Sequence, residues 1–282
     1  MAHSEFTWQS SSTDETIFAQ TWQPNTAPKA IVALVHGLGE HSGRYAHVAA
    51  YFNANNIGMS ALDLYGHGKS GGKRGHIPQY EQHLDVIAEF LQHIQHQYPN
   101  VPVFLYGHSM GGNLVLNYLL RHKPMHLAGV IVTGPAIKPG FAPPKLLVAL
   151  GKLTRTLLPS FTQSNQLDVN GISRDKTVVE AYLNDPLVHD RLSSELGIGI
   201  LESGQWLYDN THNTSIPLLV MHGTQDRLTS PEATKHFFAH LKGNATLKLW
   251  EGLYHELHNE PEQREVLAYI TAWIETKCVA KQ

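Results

Sequence analysis

The segment Tyr-Gly-His-Ser-Met-Gly-Gly, which begins at Tyr106, joins two kinds of secondary structure through a turn with little room for side chains. A β-like apolar run, 101–106, leads into it, and a helix-like run, 113–120, follows it. Its pattern is G-x-S-x-G, and the two glycines relieve the crowding around Ser109 in so tight a bend. The segment therefore predicts a sharp strand–turn–helix junction. Ser109 would stand at the amino end of the helix, where the helix dipole favours negative charge.

Strand-like and helix-like segments alternate along most of the chain. A hairpin of strands at 6–10 and 16–22 is predicted at the start, and residues 127–133 indicate a further buried strand. Apolar residues between Tyr80 and Tyr98 recur every three or four positions, as on one face of a long helix. This alternation predicts an α/β fold, with a mostly parallel sheet flanked by helices on both faces. A chain of 282 residues is long enough to bury such a core.

One stretch interrupts the alternation. It opens with closely spaced prolines from Pro135 to Pro144 and contains no clear core strand. We expect residues 135–212 to form a cap that is inserted between the sixth and seventh strands of the core. The core itself is then expected in two parts, residues 1–134 and residues 213–282.

A serine hydroxyl is a poor nucleophile at neutral pH unless a base accepts its proton and an acid orients that base. Asp226 follows the strand-like run 216–222 and precedes a Ser-Pro-Glu helix start, so it lies on a loop between a strand and a helix. His255 follows the last strand-like run, 245–250. Serine, then acid, then histidine is the chain order expected with this motif. The candidate catalytic residues are therefore Ser109, Asp226 and His255.

Negative charge that develops on a carbonyl oxygen needs two backbone N–H donors beside the serine. Met110, directly after Ser109, is expected to supply the first. The second is expected from the loop after an early strand, 29–35, where His36-Gly37-Leu38-Gly39 lets the backbone approach a ligand closely. We assign the Leu38 N–H to this oxyanion hole, and the alternative is an ordinary glycine turn.

Five blocks of the sequence point to one family. They are His36–Tyr45 (HGLGEHSGRY), Asp63–Ser70 (DLYGHGKS), Gly107–Gly112 (GHSMGG), His222–Leu228 (HGTQDRL) and Gly252–His258 (GLYHELH). In these blocks the sequence resembles monoacylglycerol lipases and related lysophospholipases. The blocks are distributed from about residue 30 to residue 260, so the resemblance covers most of the chain. Many α/β-hydrolases share the short serine motif, whereas the first block and the final histidine of the last block are more specific. The resemblance implies an α/β-hydrolase fold.

The resemblance also implies a site for the alcohol part of an ester. Arg44, Tyr182 and His258 match positions that line the glycerol side of the pocket in monoacylglycerol lipases. Glu40 lies in the same loop as Leu38. These four polar residues are therefore the candidate substrate-binding residues. An alternative for Glu40 and Arg44 is an ion pair that only ties the loop together.

Within the expected cap, residues 145–158 predict an amphipathic helix. One face carries four leucines and the roughly opposite side carries three basic residues: Leu146, Leu150, Leu153, Leu157, Lys145, Lys152 and Arg155. The leucine face has three interpretations. It can wall an acyl tunnel, touch an anionic membrane surface, or simply pack on the core.

Together these features predict a serine hydrolase that cleaves carboxylic esters of lipids. The substrate class that fits best is monoacylglycerol, cleaved to fatty acid and glycerol through an acyl-enzyme on Ser109. Lysophospholipase or general carboxylesterase activity is the alternative. An aminopeptidase would need an acidic site for the amino group of its substrate, and a non-catalytic binding protein is disfavoured by the complete catalytic set. No metal and no organic cofactor is implied.

Composition limits the partners and the location. The net charge is −3 and the pI is about 6.7, which argues against the basic stripe of a nucleic-acid-binding protein. A single cysteine, Cys278, excludes an internal disulfide. The first residues lack the features of a signal peptide, and no apolar run approaches the ~20 residues of a membrane span. We therefore expect a cytoplasmic protein, peripheral to the membrane where the cap touches it, whose partner is a small-molecule lipid ester.

Overall fold

The computed structural model describes residues 2–124 and 126–279. Within these ranges the chain forms one large sheet, one small sheet and eight α-helices. In chain order the strands are β1 (Ala2–Gln9), β2 (Thr16–Gln23), β3 (Ala30–Val35), β4 (Ile57–Asp63), β5 (Val103–His108), β6 (Gly129–Thr133), β7 (Thr162–Ser164), β8 (Arg191–Ser193), β9 (His212–Gly223) and β10 (Leu241–Trp250). The helices are α1 (Ala46–Ala54), α2 (Tyr80–Gln97), α3 (Met110–His122), α4 (Lys145–Leu157), α5 (Lys176–Asn184), α6 (Ser194–Asp209), α7 (Pro231–Ala239) and α8 (Gln263–Val279).

The large sheet has the strand order β1-β2-β4-β3-β5-β6-β9-β10. Strand β2 runs antiparallel to both of its neighbours, and the other adjacent pairs are parallel. The predicted α/β fold with a mostly parallel sheet is therefore confirmed. The carboxyl ends of parallel strands meet at one edge of a sheet, so the loops that follow β3, β5, β9 and β10 come together there.

Both faces of the sheet are covered. Strands β3 to β6 are buried along their whole length, as expected for parallel strands between two layers of helices. Helices α2, α3 and α7 contribute Leu84, Leu114 and Phe237 to one apolar cluster. Helices α1 and α8 contribute Val48 and Val266 to a second cluster. The sheet is thus a firmly packed platform for the loops at its carboxyl edge.

Between β6 and β9 the chain leaves the large sheet and forms α4, β7, α5, β8 and α6. Strands β7 and β8 pair antiparallel in a separate small sheet. Helix α4 packs closely on α6, because a Cβ atom at Gly151 would lie 3.2 Å from Ile198 Cδ1. Arg155 of α4 also forms ion pairs with Glu195 and Glu202 of α6. These elements occupy the stretch for which we expect a cap.

The large apolar side chains that are exposed in the described ranges all lie in this stretch. They are Phe141, Leu146, Leu147, Leu150, Leu153, Leu157, Leu158, Phe161 and Leu183. No residue of α4 is buried, and the stripe of Leu146, Leu150, Leu153 and Leu157 points away from the side that packs on α6. The leucine face of α4 is therefore open, not packed on the core. None of the helices within residues 2–124 and 126–279 combines the length and the apolar character needed to cross a bilayer.

Candidate active site

Ser109 stands at the bend between β5 and α3. Its backbone angles, φ 55° and ψ −116°, lie in a region that side-chain-bearing residues rarely adopt. Small neighbours make the bend possible: a Cβ atom at Gly107 would lie 2.4 Å from the Gly111 oxygen, and one at Gly111 would lie 2.1 Å from the Val35 oxygen. The Ser109 N–H donates to the Thr133 oxygen over 3.0 Å, which holds the bend in place. The strained turn therefore presents the Ser109 hydroxyl at the carboxyl edge of the sheet.

The three predicted catalytic side chains meet at this edge. The distance from Ser109 Oγ to His255 Nε2 is 2.8 Å, and that from His255 Nδ1 to Asp226 Oδ2 is 2.6 Å. A carboxylate only accepts hydrogen bonds, so His255 Nδ1 carries a proton and donates it to Asp226. The free electron pair of the neutral ring is then on Nε2, where it accepts the Ser109 hydroxyl proton. This arrangement can make the serine oxygen nucleophilic.

Asp226 is buried but fully satisfied. Its Oδ1 accepts the backbone N–H groups of Leu228 and Thr229, at 2.8 and 3.0 Å. Its Oδ2 accepts the Thr229 hydroxyl at 2.8 Å and lies 2.9 Å from His222 Nε2. Burial alone would raise the pKa of this carboxyl, but His255 and the other donors outweigh it and hold the pKa well below its usual range. Burial alone would lower the pKa of His255, but Asp226 outweighs it and raises the pKa above the ordinary imidazole value.

Both predicted oxyanion donors lie beside Ser109. Met110 is the first residue of α3, so its N–H has no acceptor within the helix. Leu38 follows β3 and lines the same cavity as Ser109 and His255. The loop is pressed against the serine, since a Cβ atom at Gly37 would lie 3.2 Å from Ser109 Cβ. The donor roles of Leu38 and Met110 stay predictions that this placement permits.

Two cavities of different size open on Ser109 and His255. The larger has a volume of about 280 Å³ and is lined mainly by apolar side chains. Several of these, including Leu147 and Ile198, come from α4 and α6. The smaller cavity, of about 40 Å³, is lined by apolar residues and by Glu40, Tyr182 and Glu256, and we call it the polar cavity after these three residues. A large apolar space and a small space bordered by two acidic residues and a tyrosine therefore meet at Ser109.

Glu40 and Arg44 form the ion pair that the sequence left as an alternative. Arg44 Nη1 lies 2.6 Å from Glu40 Oε2, and Arg44 also donates to both carboxylate oxygens of Glu256, over 2.8 Å each. The other Glu40 oxygen accepts the Gly37 N–H at 2.6 Å and the Tyr45 hydroxyl at 2.8 Å. Glu40 lines the smaller cavity, but Arg44 is not among the described residues that line either cavity. Arg44 thus shapes this space by holding two carboxylates.

The structure places Tyr182 and His258 differently. Tyr182 lines the smaller cavity, and the Arg44 guanidinium lies 4.7 Å from the centre of its ring. His258 does not line either cavity in the described part of the chain; it is completely buried, with its ring 4.6 Å from Tyr45 and 4.9 Å from His108. Burial lowers the pKa of His258 to about 3, so the ring is neutral. His258 supports the residues behind the cavity without facing the cavity itself.

Three further side chains hold the site and are not singled out by the sequence patterns. Glu256 is the second carboxylate around Arg44, and its only sequence signal is its position directly after His255. His222 and Thr229 both contact Asp226, and they lie four residues before it and three residues after it. Their proximity to Asp226 in the chain is a weak signal, because nearby residues often point in other directions.

A mostly parallel sheet that carries hydrogen-bonded serine, histidine and aspartate side chains on loops at its carboxyl edge defines an α/β-hydrolase with serine chemistry. The family model described as "Serine aminopeptidase, S33" matches residues 26–262. The chain belongs to this family. Within it, the chain is a serine ester hydrolase of the monoacylglycerol lipase-like group, as the following relatives show.

Three relatives illustrate the similarity. A monoacylglycerol lipase of Mycolicibacterium smegmatis is 36% identical over 92% of this chain and 92% of that protein. An uncharacterized abhydrolase domain-containing protein of Dictyostelium discoideum is 42% identical over 93% of this chain, but the match spans only 28% of that longer protein. The crystal structure of the Paleococcus ferrophilus monoacylglycerol lipase superposes with a TM-score of 0.84 at 33% identity, over 93% of this chain and 99% of that one.

Proposed function

We propose that this enzyme hydrolyses monoacylglycerols to fatty acid and glycerol through an acyl-enzyme on Ser109. One observation carries the proposal: a large apolar cavity and a small cavity bordered by Glu40, Tyr182 and Glu256 both open on Ser109. The apolar cavity suits an acyl chain, and the polar cavity has room only for a small hydroxylated leaving group. The similarity to proteins named monoacylglycerol lipases supports the same substrate class.

In the acylation step, Ser109 Oγ attacks the ester carbonyl carbon while His255 Nε2 takes the hydroxyl proton. The carbonyl oxygen becomes an oxyanion, which accepts hydrogen bonds from the N–H groups of Leu38 and Met110. Asp226 stabilises the imidazolium and keeps its Nδ1 proton in place. The tetrahedral intermediate then collapses, the bond to the glycerol oxygen breaks, and His255 protonates that oxygen as glycerol leaves.

Deacylation repeats these proton transfers with water. His255 Nε2 takes a proton from a water molecule, whose oxygen attacks the acyl carbon. The second tetrahedral intermediate breaks its bond to Ser109 Oγ, which recovers the proton from His255. The fatty acid leaves, and the neutral hydrogen-bonded set of side chains is restored.

The polar cavity gives the proposal its substrate class. Tyr182 lines it, and burial raises the pKa of this phenol above its usual value, so the hydroxyl stays protonated and can donate to a glycerol hydroxyl. Glu40 and Glu256 line the same space as acceptors. Arg44 contributes by fixing both carboxylates in position. We propose that these groups read the alcohol part of the ester.

The same cavity argues against lysophospholipase activity. Glu40, Glu256 and Arg44 together carry one net negative charge, which opposes the phosphate of a lysophospholipid close to the ester.

We further propose that residues 135–212 act as a cap whose exposed leucines touch a lipid surface reversibly. Leu146 and Leu157, at the two ends of the stripe on α4, are 71% and 68% exposed. Lys145 and Lys152 of the same helix are also exposed, so they add positive charge that attracts the helix to an anionic lipid surface. Leu147 of the same helix lines the apolar cavity. A lipid bound at the surface would therefore find the acyl-binding space on the other side of the helix.

The test is a hydrolysis panel with the wild-type protein and Ser109→Ala. Its substrates are a monoacylglycerol, the lysophosphatidylcholine with the same acyl chain, a short p-nitrophenyl ester and an aminoacyl amide. The proposal expects the highest kcat/KM on the monoacylglycerol and loss of all activity in Ser109→Ala. A higher kcat/KM on lysophosphatidylcholine would establish the lysophospholipase alternative. Equal values on the monoacylglycerol and the short ester would indicate a general carboxylesterase.

A further inference from the structure

His36, the first residue of the loop after β3, is completely buried and makes two hydrogen bonds. The Leu64 backbone N–H donates to its Nε2 over 2.9 Å, and its Nδ1 lies 2.7 Å from the Gly37 carbonyl oxygen. An N–H group can only donate, so Nε2 is unprotonated. The proton of the neutral ring is therefore on Nδ1, from which it is donated to Gly37. Burial lowers the pKa of His36, which keeps the ring in this neutral form.

This bond acts on the peptide group that carries the Leu38 N–H. The Gly37 carbonyl and the Leu38 N–H belong to one planar peptide, and in a trans peptide they point in opposite directions. No cis peptide bond occurs in the part of the chain that the structure describes. Because the Gly37 oxygen points toward the buried His36 ring, the Leu38 N–H of the same peptide points away from that ring.

A glycine at position 37 makes such a restraint necessary. Gly37 must lack a side chain, because a Cβ atom there would lie 2.8 Å from Glu40 Oε1 and 3.2 Å from Ser109 Cβ. The same lack of a side chain leaves the backbone free to rotate. Glu40 fixes the peptide before Gly37 by accepting its N–H at 2.6 Å. The next peptide carries the Gly37 carbonyl. Among the hydrogen bonds found in the described residues, the one from His36 is the only one that this carbonyl accepts.

We propose that His36 is a positioning residue that orients the Gly37–Leu38 peptide so that the Leu38 N–H faces the oxyanion. This inference rests on the proposed role of Leu38 in the oxyanion hole. The ring works as a rigid spacer: one nitrogen is anchored to Leu64 at the end of β4, and the other holds the Gly37 oxygen. The sheet thereby fixes the direction of a catalytic N–H group before a substrate binds.

Two variants separate this role from general support of the fold. In His36→Asn, the side-chain amide nitrogen occupies nearly the position of Nδ1, so the donor to Gly37 is kept and the acceptor for Leu64 is lost. In His36→Gln, the amide oxygen can replace Nε2 as the acceptor for Leu64, whereas the donor to Gly37 is lost. Both variants remove one buried hydrogen bond, so they should lower the thermal midpoint to a similar extent.

The experiment measures kcat and KM on a short p-nitrophenyl ester, the inhibition constant of a boronic acid that forms a tetrahedral serine adduct, and the thermal midpoint. Removal of one oxyanion donor costs about 10²–10³-fold in kcat, and a misdirected donor should cost about tenfold to hundredfold. His36→Gln is expected to lose this factor in kcat and in boronate affinity with little change in KM. His36→Asn is expected to stay within about threefold of the wild type, although it loses the Leu64 bond.

Two results would overturn the inference: wild-type kcat in His36→Gln, or equal losses of kcat in both variants in line with their thermal midpoints. Failure of the serine chemistry on which the proposed function depends would look different. In that case the wild-type protein would not hydrolyse the ester in a manner that Ser109→Ala abolishes, and the boronic acid would not bind. The short ester also makes this test independent of the lipid class that the enzyme prefers.

Discussion

Arg44 donates to both carboxylate oxygens of Glu256, over 2.8 Å each, and so joins two loops that are 212 residues apart in the chain. One of these loops carries Leu38 and the other carries His255. The side chains of the pair are only 9% and 4% exposed. Burial alone would raise the pKa of Glu256, but the Arg44 charge outweighs it and holds the pKa well below the usual range. This ion pair therefore fixes the loop after β3 relative to the loop that carries His255.

Replacing Arg44 with methionine should destabilise the protein strongly. The substitution leaves Glu40 and Glu256 buried without their cation, and loss of one partner of a buried pair costs about 3–5 kcal/mol. Urea unfolding of Arg44→Met measures the loss, and Arg44→Met combined with Glu256→Gln should recover part of it. The control is Lys69→Met, which breaks an exposed pair with Glu5 and should cost less than about 1 kcal/mol. Similar losses of unfolding free energy in Arg44→Met and Lys69→Met would contradict the conclusion that the Arg44–Glu256 ion pair holds the two loops together.

The dependence of activity on pH should follow the ionisation of His255. The ring must be neutral to take the serine proton, so kcat/KM should fall as the pH decreases through its pKa. Asp226 raises that pKa, so the midpoint should lie above the ordinary value of about 6.5. In Asp226→Asn the raising charge is gone, and the midpoint should move to lower pH while kcat falls about 10⁴-fold. If the midpoint of the pH profile of kcat/KM were the same in Asp226→Asn and the wild type, the loss of activity at low pH would not be caused by protonation of His255.

The losses caused by changing the catalytic set should be far from additive. Ser109→Ala and His255→Ala should each reduce kcat by about 10⁶-fold, because the hydroxyl and its base act as one unit. The double variant should therefore be nearly as active as either single variant. The measurement is the kcat of the three variants on a monoacylglycerol. Their circular dichroism spectra show whether each variant is folded. Multiplied losses in a folded double variant would show that Ser109 and His255 act independently.

The exposed stripe of α4 should matter for substrates at a lipid surface. Leu150→Asp puts a charge in the middle of the stripe and should reduce binding to anionic vesicles, and hydrolysis of a long-chain monoacylglycerol in them, by about tenfold. Hydrolysis of a short soluble ester should not change, since Leu150 is not among the described residues that line the apolar cavity. Thr156→Asp adds the same charge off the stripe and is the matched control. Equal effects of the two substitutions on vesicle binding would exclude this face as the lipid contact.

The phenol of Tyr182 should contribute to the preference for glycerol esters. Tyr182→Phe removes a hydroxyl at the polar cavity but keeps the ring under the Arg44 guanidinium. The ratio of kcat/KM for a monoacylglycerol to that for the methyl ester of the same acid should fall about tenfold, because one hydrogen bond to the alcohol is lost. Turnover of the methyl ester should remain near the wild-type value. An unchanged ratio would mean that Tyr182 does not read the alcohol.

Features that depend on neighbouring residues are readable in the sequence. The bend at Ser109 follows from a local steric requirement, since glycines must stand on both sides of a strained turn. The order of Asp226 and His255 on loops after successive strands is readable for a related reason: the carboxyl ends of parallel strands meet at one edge. The sheet and the proximity of the three side chains could thus be predicted without coordinates.

Tertiary structure alone decided which way the remaining side chains face. His258 belongs to the same sequence block as His255, yet it packs behind His108 instead of at the cavity. Leu147 lines the apolar cavity and Leu150 does not, although both side chains are exposed, and the contacts of Gly151 and Arg155 with α6 set that rotation of the helix. The pairing of Arg44 with Glu256 likewise needed the fold. Steric requirements act within a few residues, so the local sequence is enough to predict them. Contacts between distant loops depend on how the whole sheet brings those loops together, so they required the tertiary structure.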